Sequence, residues 1–336
     1  MIFVDGVPFP LSSSPPAREA VVALLDHPYL VSASDAFRES TEVNFSEGGR
    51  PRCVYVFQRE FATVDPSLVD FAGTDEATTC VGLVIRNRRS GRTSVAHLDS
   101  PGVVELGLAQ ILSGISSGDS CAEFDVHIVG AFEDAPTNLV KENHGTDDPG
   151  ERDGYSLPLC AKIVECLQRR GENFYIQTLF VLKHNTRMDS EGQTFPIFHG
   201  CLVEISTGTL FPACFNGSSR GPDEIVRRIR LTACHDDETW KGKLLDTYDT
   251  ESDEYRVASC SWSRRQALMA SSLQLVSDSQ LLIYCSTSPS AEGPNFVPNL
   301  RRNFDYLIKH PDWRETFPGR RPRIFKRSDN GNWLRC

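Results

Sequence analysis

The chain has 336 residues, of which 40% are hydrophobic and 24% charged, as in an ordinary soluble globular protein with a substantial core. Its formal net charge of −10 argues against a phosphate-binding surface, so we expect no nucleic-acid partner. No apolar stretch approaches the roughly 18 residues of a membrane span, so we expect no membrane partner either.

Eleven cysteines are scattered singly along the chain, and none belongs to a CxxC pair. The pattern therefore predicts neither a zinc ribbon nor a thioredoxin-like motif. Residues 2–4 form too short an apolar run for a signal peptide. We expect free thiols in a reducing compartment, namely the cytoplasm with the nucleus as a second location. No glycine-rich phosphate loop is present, so no cofactor and no metal are predicted.

Strands and helices are predicted in chain order without a regular β-α-β alternation. Strands are predicted near residues 2–6, 53–63, 78–85, 93–98, 125–132, 174–183, 198–204, 209–214, 243–248, 255–259, 323–327 and 333–336, and helices at 17–25, 103–115, 156–169, 222–229 and 296–309. The first helix should end at His27 because the residue before a proline avoids the α region. This order predicts an α+β fold with mixed and antiparallel sheets and flanking helices.

Residues 134–153 are polar and acidic and lack an apolar period. We predict a mobile loop there. Helix and strand signals resume beyond it in the same style, so we predict one domain over residues 1–336.

A predicted β-hairpin brings a cysteine and a histidine together. Cys80 opens its first strand, and His97 lies near the end of its second strand, seventeen positions later. Residues nearly equidistant from the turn face each other in an antiparallel pair, with Cβ atoms about 4.5–5.5 Å apart, or about 7–8 Å diagonally. A thiol beside an imidazole is the arrangement that an activated cysteine nucleophile needs.

A structural role for Cys80 remains open from the residues alone, since a cysteine followed by VGLVI is typical of a buried strand. Other pairs are weaker candidates. Cys234 and His235 are sequence neighbours, whose side chains point to opposite faces of a strand. His199 and Cys201 lie in a segment that otherwise indicates core.

Several motifs resemble those of one enzyme family. The segment GTDEATTC at residues 73–80 resembles the nucleophile motif of protein N-terminal asparagine amidohydrolases. YVFQRE at 55–60, VHIVG at 126–130, RGP at 220–222 and STSP at 286–289 with Glu292 are similar in order and spacing. The spacing from Cys80 to His97 also resembles that of bacterial chemoreceptor glutamine deamidases, where a threonine six positions before the cysteine completes a triad. That position is Thr74 here.

The resemblance implies a cysteine-deamidase-like fold and deamidation of N-terminal asparagine to aspartate, without a cofactor. It implies Cys80 as nucleophile, His97 as base and Thr74 as the residue that orients the imidazole. Asp75, Glu60 and Glu292 lie in shared motifs and are candidates to bind the substrate's α-ammonium group. The implied partners are peptides or proteins with a free N-terminal asparagine, the implied protein is a monomer, and the implied role is in an N-degron degradation pathway.

Two other functions remain open at this point. One is a related cysteine deamidase or transglutaminase that acts on glutamine. The other is a non-catalytic module that binds protein N-termini.

Overall fold

A computed structural model describes residues 1–10, 17–46, 52–116, 122–134, 154–234, 238–328 and 331–336. Its strands are β1 (Ile2–Val4), β2 (Val7–Pro8), β3 (Val43–Phe45), β4 (Cys53–Tyr55), β5 (Glu60–Val64), β6 (Phe71–Thr74), β7 (Val81–Asn87), β8 (Thr93–Leu98), β9 (Glu123–Gly130), β10 (Asn173–Phe180), β11 (Thr186–Met188), β12 (Thr194–Pro196), β13 (Cys201–Glu204), β14 (Leu210–Phe215), β15 (Leu245–Asp249), β16 (Glu254–Val257), β17 (Arg323–Arg327) and β18 (Trp333–Arg335). Its helices are α1 (Ala17–Leu25), α2 (Pro28–Glu39), α3 (Val104–Ile115), α4 (Ser156–Arg169), α5 (Glu224–Cys234), α6 (Arg264–Leu273), α7 (Asp278–Cys285), α8 (Phe296–Lys309) and α9 (Trp313–Thr316).

Two sheets form the framework of the described residues. The larger has the strand order β18-β17-β16-β15-β5-β8-β7-β9-β10-β1-β2, and the smaller has the order β3-β14-β13-β6-β4. Both contain parallel and antiparallel pairs. Together with the helices they confirm the predicted α+β fold.

Successive side chains of a strand point to opposite faces of the sheet, and both faces of the large sheet are covered. Leu83 and Ile85 of β7 belong to a core that includes Leu24, Leu108 and Ile163 of helices α1, α3 and α4. The intervening Val84 instead belongs to a core with residues of β6 and β13 in the small sheet. The central strands are therefore packed between a helical layer and a second sheet.

The predicted helices at residues 17–25 and 296–309 are confirmed by α1 and α8. The prediction that the first helix ends at His27 is confirmed, since α1 ends at Leu25 and His27 is extended, but the next helix, α2, which begins at Pro28, was not predicted. His27 is the extended N-cap of α2, and its side chain accepts from the backbone N–H of Tyr29. A proline in the first helical turn loses no intrahelical hydrogen bond, so it begins a helix as readily as it ends one.

The predicted strand at residues 53–63 is wrong, because two strands of different sheets take its place. β4 joins the small sheet and β5 joins the large one. Between them Arg59 has a φ of 63°, a left-handed conformation that interrupts an extended run. The aromatic and β-branched pattern continues through this break because both strands are buried.

The predicted hairpin is confirmed by β7 and β8. Apart from Asp134, the acidic loop predicted at 134–153 lies outside the described residues. The single-domain organisation stays a prediction. Within the described ranges, each helix is too short or too polar to cross a membrane.

Candidate active site

The β7–β8 register places Cys80 and His97 on the same face of the large sheet. Gly82 is directly opposite His97, and Val81 is opposite Leu98. Cys80 precedes Gly82 by two residues, which makes it the diagonal neighbour of His97. This face points towards the small sheet. Val84, two residues after Gly82 and therefore on the same face, packs with residues of that sheet.

Thr74 reaches the same histidine from the small sheet. It is the last residue of β6, and its Oγ1 lies 2.8 Å from His97 Nδ1. The same hydroxyl donates to the carbonyl oxygen of Val56 at 2.8 Å. A threonine hydroxyl has one proton, so Oγ1 must accept from Nδ1–H of His97. This fixes the imidazole tautomer and leaves Nε2 as the basic nitrogen.

His97 Nε2 has no hydrogen-bond partner among the described residues, although it is fully buried. A buried acceptor without a protein partner is unusual and indicates strain, a catalytic role or a bound water. His97 and Cys80 line the same cavity, which has a volume of about 490 Å³. Cys80 is partly exposed, as a nucleophile must be.

The free site favours a neutral thiol and a neutral imidazole. Burial raises the pKa of the Cys80 thiol, and the nearby charges of Asp99 and Glu292 add to the effect. Burial also lowers the pKa of His97 to about 4, against the opposing influence of Asp99. Burial therefore disfavours both charged forms, the thiolate and the imidazolium.

Gly82 leaves space for the Thr74 side chain. A Cβ atom at this residue would lie 3.1 Å from Thr74 Cγ2, a tighter contact than ordinary packing. The residue opposite His97 therefore has to be small.

Asp75 lines the cavity, but its carboxylate is occupied. Oδ1 accepts from the Tyr55 hydroxyl at 2.6 Å. Oδ2 accepts from the backbone N–H of Phe215 at 2.8 Å and from Arg220 at 3.2 Å. Burial raises the pKa of Asp75 despite the neighbouring Arg220. These contacts assign Asp75 a scaffolding position at the cavity wall.

Glu60 does not line the cavity. Its buried carboxylate accepts from Arg227 at 2.7 Å, Arg230 at 2.9 Å and the backbone N–H of Phe57 at 2.9 Å. Burial opposes ionisation, but the two arginines outweigh it and lower the pKa of Glu60. The structure thus separates Glu60 from the residues that a substrate in this cavity would contact.

Glu76 lines the cavity and was missed by sequence reasoning, although it stands beside Asp75 in the same motif. Both of its oxygens accept from Arg228, at 2.8 and 3.0 Å. Arg220 lies 2.8 Å from one of them. A φ of 61° at Glu76 turns the chain between β6 and Cys80.

Glu292 lines the cavity with a carboxylate that has fewer partners than those of Asp75 and Glu76. Its one hydrogen bond within the described part of the chain is from the Ser286 hydroxyl. Burial raises the pKa of Glu292 to about 7, with a contribution from the charge of Glu76. An ammonium group would remove this penalty by pairing with the carboxylate.

The segment from residue 285 to 303 closes the cavity from the C-terminal part of the chain. Ser286 holds Glu292 and accepts from the backbone N–H of Ser288 at 3.0 Å. Thr287 Oγ1 lies 3.0 Å from Thr79 Oγ1, next to the predicted nucleophile. His199, assigned to the core from sequence, also lines this cavity. Across the described ranges, no group of three or more histidine, cysteine or acidic side chains is arranged to hold a metal.

The chain has relatives among known proteins. The sequence profile of the family described as "Protein N-terminal asparagine amidohydrolase" matches residues 43–335. The chain belongs to this family. A relative of that name from Arabidopsis thaliana is 53% identical over the full length of both chains.

More distant relatives of the same name come from mouse and human. The mouse protein is 29% identical over 94% of this chain and 93% of its own length. The human protein is 30% identical over 83% of each chain. The family match includes β6, the β7–β8 hairpin and the closing segment, and therefore every residue predicted for the site.

Proposed function

We propose that this protein hydrolyses the side-chain amide of an N-terminal asparagine, producing N-terminal aspartate and ammonia. The observation that carries the proposal is the hydrogen bond between Thr74 and His97, whose Nε2 is unpartnered among the described residues, in a cavity that His97 and Cys80 both line. Family membership supplies the substrate class, because relatives named for this activity match the whole chain.

Catalysis in this proposal begins with a neutral pair. His97 Nε2 takes the thiol proton as Cys80 Sγ forms a bond to the amide carbon, and the carbonyl electron pair moves to oxygen. When this intermediate collapses, the C–N bond breaks and nitrogen takes the proton from His97, releasing ammonia. Water then gives a proton to His97 while its oxygen attacks the thioester carbon. The C–S bond breaks, and sulfur recovers the proton.

Thr74 keeps His97 in the tautomer that this sequence of steps needs. With Nδ1–H bonded to Thr74, only Nε2 can accept the proton of Cys80. The neutral resting state also explains why the thiol need not be ionised beforehand: proton transfer accompanies attack.

Glu292 is our proposed partner for the substrate's α-ammonium group. It lines the cavity and has a single hydrogen-bond partner in the described chain, whereas Asp75 and Glu60 each have two side-chain partners and a backbone N–H. Asp75 would support the wall indirectly, and Glu60 would hold α5 in place. Requiring an ammonium group restricts the reaction to free N-termini.

The wider role follows from the family resemblance. We propose a monomeric enzyme of the cytoplasm and nucleus, whose product aspartate marks its bearer for an N-degron degradation pathway. The substrates in this role are peptides and proteins with a free N-terminal asparagine.

The decisive test offers the purified protein three peptides that differ only at the N-terminus: one beginning with asparagine, its N-acetylated form, and one beginning with glutamine. Mass spectrometry follows conversion of amide to acid. We expect conversion of the free asparagine peptide alone, lost in Cys80→Ala and kept in Cys214→Ala, which removes another cysteine of the same cavity.

Other outcomes of this test would change the assigned activity or the assigned nucleophile. Conversion of the blocked or glutamine peptide would reassign the protein as a broader deamidase. If the wild-type protein converts none of the peptides, the remaining hypothesis is a non-catalytic module that binds protein N-termini. Loss of activity in Cys214→Ala but not in Cys80→Ala would overturn the assigned nucleophile.

A further inference from the structure

The residue immediately before the predicted nucleophile carries a hydroxyl group that the steps above do not use. Thr79 is 6% exposed and lines the cavity beside Cys80. Its Oγ1 lies 3.0 Å from Oγ1 of Thr287, a residue 208 positions away that also lines the cavity. Thr79 directly precedes Cys80 in the chain, and both residues line the same cavity.

Thr79 is a neutral side chain that can donate a hydrogen bond in the cavity beside the Cys80 thiol. Asp99 and Glu292 bear carboxylates, which accept hydrogen bonds when ionised. Arg59 is held by Asp99, with Nε 3.0 Å from a carboxylate oxygen. A donor to new negative charge near Sγ is therefore available from Thr79.

The hydrogen bond between Thr79 and Thr287 can orient the hydroxyl proton of Thr79. Each hydroxyl has one proton and can also accept. When Thr287 donates to Thr79, the Thr79 proton is free to point at Sγ or at an atom bonded to Sγ. Thr287 is exposed, so water can satisfy its own remaining acceptor sites.

We propose that Thr79 is a further catalytic residue, which donates a hydrogen bond to the oxyanion of the tetrahedral intermediates, and that Thr287 is the positioning residue for its hydroxyl. The inference rests on the proposed function. As the S–C bond forms, the carbonyl electron pair moves to oxygen, next to Sγ and within reach of Thr79. The pair returns when ammonia leaves and again when the thioester is hydrolysed, so Thr79 assists both halves of the reaction without exchanging a proton.

The test compares Thr79→Val, which removes the hydroxyl at nearly constant volume, with Thr79→Ser, which restores it. Loss of one oxyanion donor typically lowers kcat by about 100- to 1000-fold, and we expect this for Thr79→Val with little change in KM. Thr79→Ser should recover most of the loss. Thr63→Val is the matched control, since Thr63 and Ser94 form another buried hydroxyl pair at 3.2 Å, outside the cavity.

Two readouts separate this role from a structural one. Alkylation of Cys80 by iodoacetamide forms no oxyanion, so its rate should change little in Thr79→Val. Thr287→Val should lower kcat by a smaller factor, and the double variant should be no slower than Thr79→Val alone, because Thr287 acts through Thr79.

Alkylation that slows in parallel with kcat would overturn the assignment in favour of an effect on the thiol. Unchanged kcat in Thr79→Val, with an active wild type, would overturn this inference and leave the proposed function intact. An inactive wild type would instead refute the proposed function. If Thr79→Val fails to fold, Thr287→Val decides the matter: full activity in that variant overturns the pairing.

Discussion

Thr74 accepts the Nδ1–H of His97 and at the same time donates to the carbonyl oxygen of Val56. These two hydrogen bonds lock the tautomer of a histidine whose other nitrogen is unpartnered in the described structure. Thr74→Val should therefore lower kcat by about 100-fold, the typical cost of a small misplacement of a catalytic group, and Thr74→Ser should retain most activity. Steady-state kinetics with the free asparagine peptide measures this, and equal losses in both variants would contradict it.

The pKa of His97, lowered to about 4 by burial, predicts how kcat varies with pH. The imidazole must be neutral to accept the thiol proton, so kcat should stay high down to about pH 5 and fall as pH drops through about 4. The raised pKa of Cys80 predicts that its alkylation rate still increases at alkaline pH. A plateau in alkylation beginning near pH 5 would instead indicate a thiolate–imidazolium pair.

The pKa of Glu292 predicts a second pH dependence, that of substrate binding. Its pKa is raised to about 7, so kcat/KM should fall as pH drops through about 7 and the carboxylate that pairs with the α-ammonium group is lost. At high pH, kcat/KM should fall again as the substrate amine, with a pKa of about 8, loses its proton.

Glu292→Gln isolates this effect. We expect KM to rise about tenfold or more, as for loss of a hydrogen-bonded charge, and the dependence near pH 7 to disappear. Ser286→Ala, which removes the hydroxyl that holds Glu292, should give a smaller increase in KM. A KM that is unchanged in Glu292→Gln would place the α-ammonium group elsewhere in the cavity.

Glu60 should act on stability rather than on substrate binding. Glu60→Gln leaves Arg227 and Arg230 buried without their counterion, and breaking such a buried pair costs about 3–5 kcal/mol. Urea unfolding measures the loss, with Glu105→Gln on the exposed surface of α3 as the control. A raised KM in a Glu60→Gln protein of unchanged stability would return Glu60 to the binding site.

Gly82 should tolerate no side chain without loss of activity. A Cβ there would press on Thr74 Cγ2 at 3.1 Å, so Gly82→Ala should lower kcat while the protein stays folded. Gly102→Ala is the matched control, because no described atom lies within 4 Å of the added Cβ. Equal kcat in both variants would show that Thr74 can move without consequence.

Local pattern was sufficient where an element depends on its own residues. The helices at residues 17–25 and 296–309 follow from apolar spacing, and the hairpin follows from two β-rich runs around a glycine-containing turn. Local pattern failed where a single residue changes the chain's direction. Pro28 begins α2, a helix that the sequence did not predict, and Arg59, with positive φ, divides one predicted strand between two sheets.

The sequence by itself determined that Cys80 and His97 lie close together, because a hairpin with a fixed turn sets which residues are neighbours across two strands. It could not determine that Thr74 crosses from the second sheet to His97, since that contact depends on how two sheets pack. Nor could it separate Glu292 from Glu60. Both are acidic residues in shared motifs, and only the tertiary structure surrounds Glu60 with arginines and leaves Glu292 in a cavity. The tertiary structure also brings Thr287 beside Thr79, from 208 residues away. Side-chain chemistry is local, whereas partners and burial are set by the folded chain as a whole.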